Sequence, residues 1–408
     1  MSQLRLLAGR ALTAGPEGLN EHLRRIGPLP AGGPELIEVL TRSGLTGRGG
    51  AWFPLGVKWR TVAAHSRGTA VVVANGAEGE PHSKKDRLLM TTRPHLILDG
   101  AFLAARAVRS KQVVLYVGEE HHAARQSMSA ALAERSDEER RMVRTVSSPA
   151  RYVAGSSSAA AHLVNTGIAT PTTTPPSAHE SGVDGAPTLV QNVESLAHVA
   201  LIARYGDAWY RSAGRRGGAG TLLVTMSGGV AGPGVLEIEA GTTVAEALEM
   251  AGGATEPPGA VLVGGYFGSW VDAQQAWELP LDAGALRTRG LSLGCGVIGL
   301  LPKSRCGVCE TAGIMRYLAT ESSAQCGPCF FGLRALADAC SRIAERGSNP
   351  PDLQRLQRWA NEVKGRGACH HPDGAVIFLQ SALKAFAGEF AQHPAHWRAQ
   401  ASETRRPA

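Results

Sequence analysis

Glycines crowd around an arginine and a lysine in Ser43-Gly44-Leu45-Thr46-Gly47-Arg48-Gly49-Gly50-Ala51-Trp52-Phe53-Pro54-Leu55-Gly56-Val57-Lys58-Trp59. Without a Cβ, glycine accepts positive φ, and successive N–H groups can converge on an anion. Arg48 and Lys58 add charge, one as a planar fork and the other as a point charge. A second polar cluster, Asn75-Gly76-Ala77-Glu78-Gly79-Glu80-Pro81, follows the apolar run Val71-Val72-Val73-Ala74 and precedes Lys84-Lys85-Asp86-Arg87. Asn75 offers donors and an acceptor, whereas ionised Glu78 and Glu80 only accept. That mixture suits a heterocycle with ring N–H and C=O groups. A third group is sulfur: Cys306-Gly307-Val308-Cys309 and Cys326-Gly327-Pro328-Cys329 are two C-x2-C pairs, with Cys369 beyond them in Gly367-Ala368-Cys369-His370-His371. Glu310 to Glu321, between the pairs, carries Ile314, Met315 and Leu318 at helical spacing. Twelve helical residues span about 18 Å, so the pairs would lie at opposite ends and could not share one tetrahedral ion.

The elements that must carry these groups are legible in outline. Pro34 to Ser43 reads as a helix entering the glycine loop. Val71–Ala74 and Val113–Val117 read as buried strands flanking a helix from Pro94 to Val108, an α/β arrangement whose strand ends are where ligands usually bind. Thr166 to Pro187 reads as a long loop. Thr221–Met226, Gly234–Glu239 and Ala260–Val263 read as strands around a helix from Thr243 to Ala251, and from Glu310 onward the pattern is helical. Gly294-Cys295-Gly296-Val297-Ile298-Gly299 matches G-x-G-x-x-G, but Pro302 follows and no helical run begins, so it is not read as a dinucleotide fingerprint. Cys295 and Cys340 read as small buried hydrophobes.

Composition sets the class. The chain has 408 residues, 43% hydrophobic, with a net charge of +7. Its mean hydropathy is −0.08, and no apolar run approaches a membrane span. Basic residues are not interleaved with aromatics, so no nucleic-acid partner is expected. Seven clustered cysteines point to metal or redox chemistry in a reducing compartment rather than a disulfide scaffold. Charge interrupts Leu4-Arg5-Leu6-Leu7-Ala8-Gly9-Arg10 too early for an export signal, so a cytoplasmic location is expected, with the inner membrane face as a peripheral docking place.

S-G-L-x-G-R-G-G-A-x-F-P-x-G-x-K-W, then N-x-x-E-x-E-P, K-D-R-L-L-M and Gly185-Ala186-Pro187-Thr188-Leu189-Val190-Gln191-Asn192-Val193-Glu194-Ser195, resembles the family of flavoprotein (F) subunits of NADH:quinone oxidoreductase (complex I). The resemblance runs from about residue 35 to 390. It implies an FMN-binding α/β domain (35–215), a small β-grasp-like SLBB domain (218–282) and a C-terminal helical iron–sulfur domain (290–395). The chain itself reads as an N-terminal lead (1–34) before these and a disordered tail (399–408) after them. By matched position, Gly47, Arg48, Gly49, Gly50 and Lys58 would cradle the FMN phosphate and ribityl chain. Asn75, Glu78, Tyr152, Gly155 and Asn192 would lie around the flavin, Glu78 as the catalytic acid, with Phe53 and Glu80 on the NADH side. Cys326, Cys329 and Cys369 would hold one iron–sulfur cluster, expected to be 4Fe-4S. Ser323 stands where the family's first cysteine should be, leaving the fourth ligand open among Ser323, Cys306, Cys309, His370 and His371, or a three-iron cluster.

The chain resembles a divergent member of that family. The family's G-E-E acids are replaced in Tyr152-Val153-Ala154-Gly155-Ser156-Ser157, a Lys-Pro-Pro-aromatic segment is Thr174-Pro175-Pro176-Ser177, and an N-x-D-E acid is Ala77. Trp52 places a bulky ring near where the adenine should stack. The expected function is a flavin and iron–sulfur electron-transfer oxidoreductase with a degraded NADH side, fed by a ferredoxin-like or other iron–sulfur carrier or a membrane reductase complex. The alternatives are a genuine NADH dehydrogenase binding NAD(H), and a cofactor-poor interaction scaffold.

Overall fold

The computed structural model describes residues 4–393 apart from 174. The expected tail at 399–408, Thr174 and the last two residues of the 290–395 stretch lie outside the described residues.

Four strands form the first sheet: β1 (Val71–Gly76), β2 (Gln112–Gly118), β3 (Val143–Ser148) and β4 (Thr188–Asn192). All pairings are parallel, in the order β3-β2-β1-β4. Because helices cover both faces, β1 is buried at every residue and reads as an unbroken apolar run. Val72 and Ala74 pack with the helices Pro94–Ala107 and Val193–Arg211, while Val71 and Val73 face the helix Ser157–Thr166 on the other side. β3 was not evident in the sequence. It is one of the two edge strands, and its half-exposed Val143-Arg144-Thr145-Val146 lacks the continuous apolar signal of its neighbour β2.

The second sheet comprises β5 (Thr221–Gly228), β6 (Gly234–Glu239), β7 (Pro258–Val263), β8 (Ser269–Asp272) and β9 (Val297–Pro302), ordered β6-β5-β9-β7-β8. A capping box, Thr243 with Glu246, starts its helix Val244–Met250. β9 corrects the expected boundary: the middle strand of this sheet comes from outside 218–282, within the stretch expected to be helical. The segment Gly294 to Gly299 therefore feeds a strand, not a helix, as the reading of that motif required. The third unit is helical, with helices Gly307–Thr320, Arg334–Arg346, Pro350–Val363, His371–Ala385 and Ala387–Gln392, and a π-helical turn at Pro328–Leu333. Tyr266 and Trp270, from the second unit, share its core.

A tight helix approach in the first unit depends on Gly100. A Cβ there would lie 1.9 Å from the carbonyl oxygen of Leu196. Gly100→Ala must push the helices Pro94–Ala107 and Val193–Arg211 apart, at a cost of about 1–3 kcal/mol. The expected result is a lower urea midpoint with an unchanged m value.

Candidate functional site

Strand order reverses between β1 and β4, since the chain steps outward through β2 and β3 before returning to the far side of β1. In open parallel sheets, ligands bind beyond the carboxyl ends of the strands at such a reversal. Asn75 and Asn192, in register on β1 and β4, stand there. Asn75 Nδ2 donates to the Gly155 carbonyl at 2.9 Å and its Oδ1 accepts from Ala77 N at 3.1 Å. Asn192 Oδ1 caps the helix Val193–Arg211 through Glu194 N, and its Nδ2 donates to Asp86 at 2.7 Å. Gly49 lies against Asn192, where an added Cβ would come within 3.3 Å of the asparagine Cβ. The glycine loop is folded back on itself, Gly47 N donating to Phe53 O at 2.9 Å, and Gly50 has a φ of 114°. Next to it, the helix Leu55–Ser66 begins, and Lys58 in its first turn donates to the Val190 carbonyl of β4. Burial lowers the Lys58 ammonium to about 8.

The structure gives Arg48 and Trp52 tasks other than those expected. Arg48 is 3% exposed, donating to Tyr210 Oη at 2.9 Å and to the Thr221 carbonyl at 3.2 Å, with its Nε 3.8 Å from Glu194. Its guanidinium therefore points into the protein, and its backbone N–H, also buried, donates to Ser195 Oγ at 2.8 Å. Trp52 is buried as well. Its ring lies 4.4 Å from the Arg48 guanidinium and its indole N–H donates to Gly294 O at 2.7 Å. The bulky ring is thus a latch to the second sheet and does not occupy the ligand side; neighbouring Phe53 is 51% exposed.

Lys85, Asp86 and Glu194 stand in the motifs of the sequence without an evident role. Glu194 lies 3.0 Å from Lys85 Nζ, which also donates to Asp86 at 2.8 Å, and the Glu194 carboxylate accepts Leu223 N of β5 at 3.0 Å. Burial pushes Asp86 upward, with Lys85 opposing it. The signal was present as charges flanking apolar runs, but pairing them required the fold.

Glu78, expected to be catalytic, is a helix cap. Its oxygens accept Asp86 N at 3.1 Å and Arg87 N at 3.2 Å, the first turn of the helix Lys85–Thr92, along with the Ser83 hydroxyl. Both oxygens are engaged, so the carboxylate positions the crevice wall. Glu80 is also buried: it accepts Tyr266 N at 2.8 Å and the Tyr152 hydroxyl at 3.2 Å, and burial pushes its carboxyl up to about 7. Around it the rings of Tyr152 and Phe267 meet at 4.7 Å, and those of Tyr266 and Tyr317 at 5.5 Å, drawing side chains from all three units. Ser156 and Ser157, in place of two acids, are exposed, with Ser156 capping the helix Ser157–Thr166.

Residues 151–155 bridge the crevice to the sulfur end of the helical unit. Gly155 accepts from Asn75, while Tyr152 N and Arg151 hold Glu321 and Ser322. Just beyond, Cys329 is buried in the π turn, a local geometry common at functional sites, with Cys326 and Cys369 beside it. Burial and the adjacent thiols raise Cys329 to about 12. The fourth-ligand candidates now separate. His370 points to solvent and His371 Nε2 is turned to the Leu318 carbonyl at 2.8 Å. Cys306 and Cys309 lie at the opposite end of Gly307–Thr320, with His393. Ser323 Oγ lies 3.5 Å from Gln325 Oε1, and the neighbouring Ser322 hydroxyl donates to the Ala319 carbonyl at 2.9 Å on the side of Cys329.

These donor sets fit the two cofactors. A half-buried lysine beside a helix amino end and a glycine-rich loop suits a phosphate, and the two asparagines suit a ring with donors and acceptors. Three thiols that influence one another electrostatically, more widely spaced than the close group Cys306, Cys309 and His393, suit a multi-iron centre rather than a single ion. Comparison with known proteins agrees. Residues 40–201 match the Nuo51 FMN-binding domain, 223–265 the SLBB domain, and 305–393 the NADH-ubiquinone oxidoreductase-F iron-sulfur binding region. The F subunit of NADH-quinone oxidoreductase of Escherichia coli (strain K12) is 31% identical over 401 residues, covering 92% of this chain and 87% of the relative. The F 2 subunit of the Rhizobium meliloti (strain 1021) enzyme is 30% identical over 372 residues, covering 88% of each. Among solved structures, a chain of an NAD+-reducing [NiFe]-hydrogenase in the air-oxidized state superposes with a TM-score of 0.80 at 28% identity, over 88% of this chain and 62% of that one.

Two measurements check this geometry. Glu194→Gln leaves Lys85 and Arg48 buried with less counter-charge, and should cost about 3–5 kcal/mol in urea unfolding. The Glu80 carboxyl is raised from 4.5 to about 7, so the folded chain holds that proton more tightly than the unfolded chain. Its stabilisation is complete below pH 4.5 and is lost as pH rises through 7. Relative to Glu80→Gln, the wild type should lose on the order of 2–3 kcal/mol across that window.

Proposed function

We infer the function from a premise that the matches establish: this chain belongs to the family of NADH-quinone oxidoreductase F subunits and is a flavin and iron–sulfur electron-transfer oxidoreductase. FMN, when bound, supplies the conversion between two-electron and one-electron chemistry. In this reading, the loop Gly47–Gly50 and Lys58 hold the phosphate, and Asn75, Asn192 and the Tyr152–Gly155 segment orient the ring. Arg48 and Glu78 keep their places as supports of that wall, bonded to Tyr210 and to the helix Lys85–Thr92. Cys326, Cys329 and Cys369 hold the cluster. The functional units are drawn at 35–215, 218–302 and 303–393.

The observation that carries the assignment is the 151–155 segment, which touches Asn75 at one end and Glu321 and Ser322 at the other. Flavin crevice and cluster loop are therefore walls of one continuous structure. The donor side supports a carrier other than NADH. Ser156 and Ser157 offer no carboxylate there, and Glu80 is spent on Tyr152 and Tyr266. The net charge of +7 favours an acidic iron–sulfur protein of ferredoxin type as electron partner. No described helix is long and apolar enough to cross a membrane, so docking to a membrane reductase at its inner face would be peripheral.

Anaerobic spectra of the reconstituted protein test this. Flavin bands and an iron–sulfur shoulder should bleach with dithionite and with reduced ferredoxin, and remain with NADH. Bleaching by NADH would make the chain an NADH dehydrogenase, and no bands after loading with FMN, iron and sulfide would leave an interaction scaffold. Lys58→Met should weaken FMN retention by about 10- to 100-fold, read by fluorescence of released flavin, while the cluster shoulder stays.

A further inference from the structure

At the amino end of Gly307–Thr320 a second set of ligand atoms converges. Cys306 caps this helix, Cys309 follows within its first turn, and His393 arrives from beyond the helix Ala387–Gln392. His393 Nε2 lies 3.3 Å from Cys306 Sγ and 3.7 Å from Cys309 Sγ, and all three ligand atoms are within 4.8 Å of one another. Tetrahedral zinc, with bonds of about 2.3 Å to sulfur and about 2.0–2.1 Å to nitrogen, requires sulfur–nitrogen edges of roughly 3.5–3.6 Å. The observed pair brackets that length. The two thiols are half-buried, unpaired as disulfide, and the imidazole is 6% exposed.

We propose that Cys306, Cys309 and His393 form a separate site for a single divalent ion of zinc type. The helix between this site and Cys326 has 14 residues, about 21 Å at 1.5 Å per residue, so the two sulfur groups cannot serve one centre. Glu389 Oε2 accepts Gly307 N at 2.7 Å, and Cys306 Sγ accepts Cys309 N at 3.3 Å, an N–H to sulfur bond that a metal-bound thiolate also accepts. On binding, the thiol protons pass to solvent, and water completes the tetrahedron. The ion then clamps the last described helix to the far end of the rod whose other end carries the cluster cysteines. The site stands independently of the flavin and cluster assignments.

Metal analysis of the full chain loaded with FMN, iron and sulfide, then incubated with zinc and dialysed, tests the proposal. Stoichiometric zinc in addition to iron is expected. Cys306→Ser combined with Cys309→Ser should lower retained zinc by about tenfold or more, with flavin absorbance and iron unchanged. Should that variant fail to fold, His393→Ala and cobalt substitution of the wild type decide, the latter through sulfur-to-cobalt charge-transfer bands. Absence of zinc from the wild type, a Cys306–Cys309 disulfide in its place, or loss of iron rather than zinc in the variants would overturn the assignment.

Discussion

The buried carboxylate of Glu194 is the constraint on which the rest of the crevice depends. It follows the cap residue Asn192 at the start of Val193–Arg211, faces the cations of Lys85 and Arg48, and accepts a backbone N–H from β5. One side chain thus joins the end of β4, the helix after Glu78, the glycine loop and the second sheet. A charge that deep is tolerated only when paired and hydrogen-bonded, so every partner is held in place by the cost of leaving it unmatched. The loop can then present bare backbone to a ligand, because its arginine is anchored beneath it rather than reaching outward.

A second node lies where the three units meet. Glu80, Tyr152 and Tyr266 share hydrogen bonds, and the rings of Phe267, Tyr317 and His371 close around them. This contact fixes the crevice relative to the cysteine loop, because Tyr152 N is also bonded to Glu321 at the end of Gly307–Thr320. That helix acts as a rod with thiols at both ends. Its length separates two kinds of sulfur chemistry that, written as text, form one pattern of paired C-x2-C motifs.

Much of this was legible in the sequence. The unbroken apolar runs of β1 and β2 and the capped helix at Val244–Met250 follow from periodicity and turn residues acting locally. The edge strand β3 was not legible, because a half-exposed strand carries half the signal, and β9 was assigned to the wrong unit, because strand partnership is non-local. Residue types in the site were likewise plain, whereas their tasks were not: Trp52, Arg48, Glu78 and Glu80 are all present as expected, and all four turn inward.

The amino-acid sequence by itself determined the chemistry available: a glycine loop with cations, asparagines at strand ends, and cysteines in pairs at either end of a helix. Spacing along the chain is enough for that, since backbone propensity and helix rise are local properties. Only the tertiary structure decided which charges neutralise one another, which carboxylates remain for a ligand, and that His393 joins Cys306 and Cys309. Those outcomes depend on desolvation and on contacts between residues far apart in the chain, and neither exists until the three units have packed together.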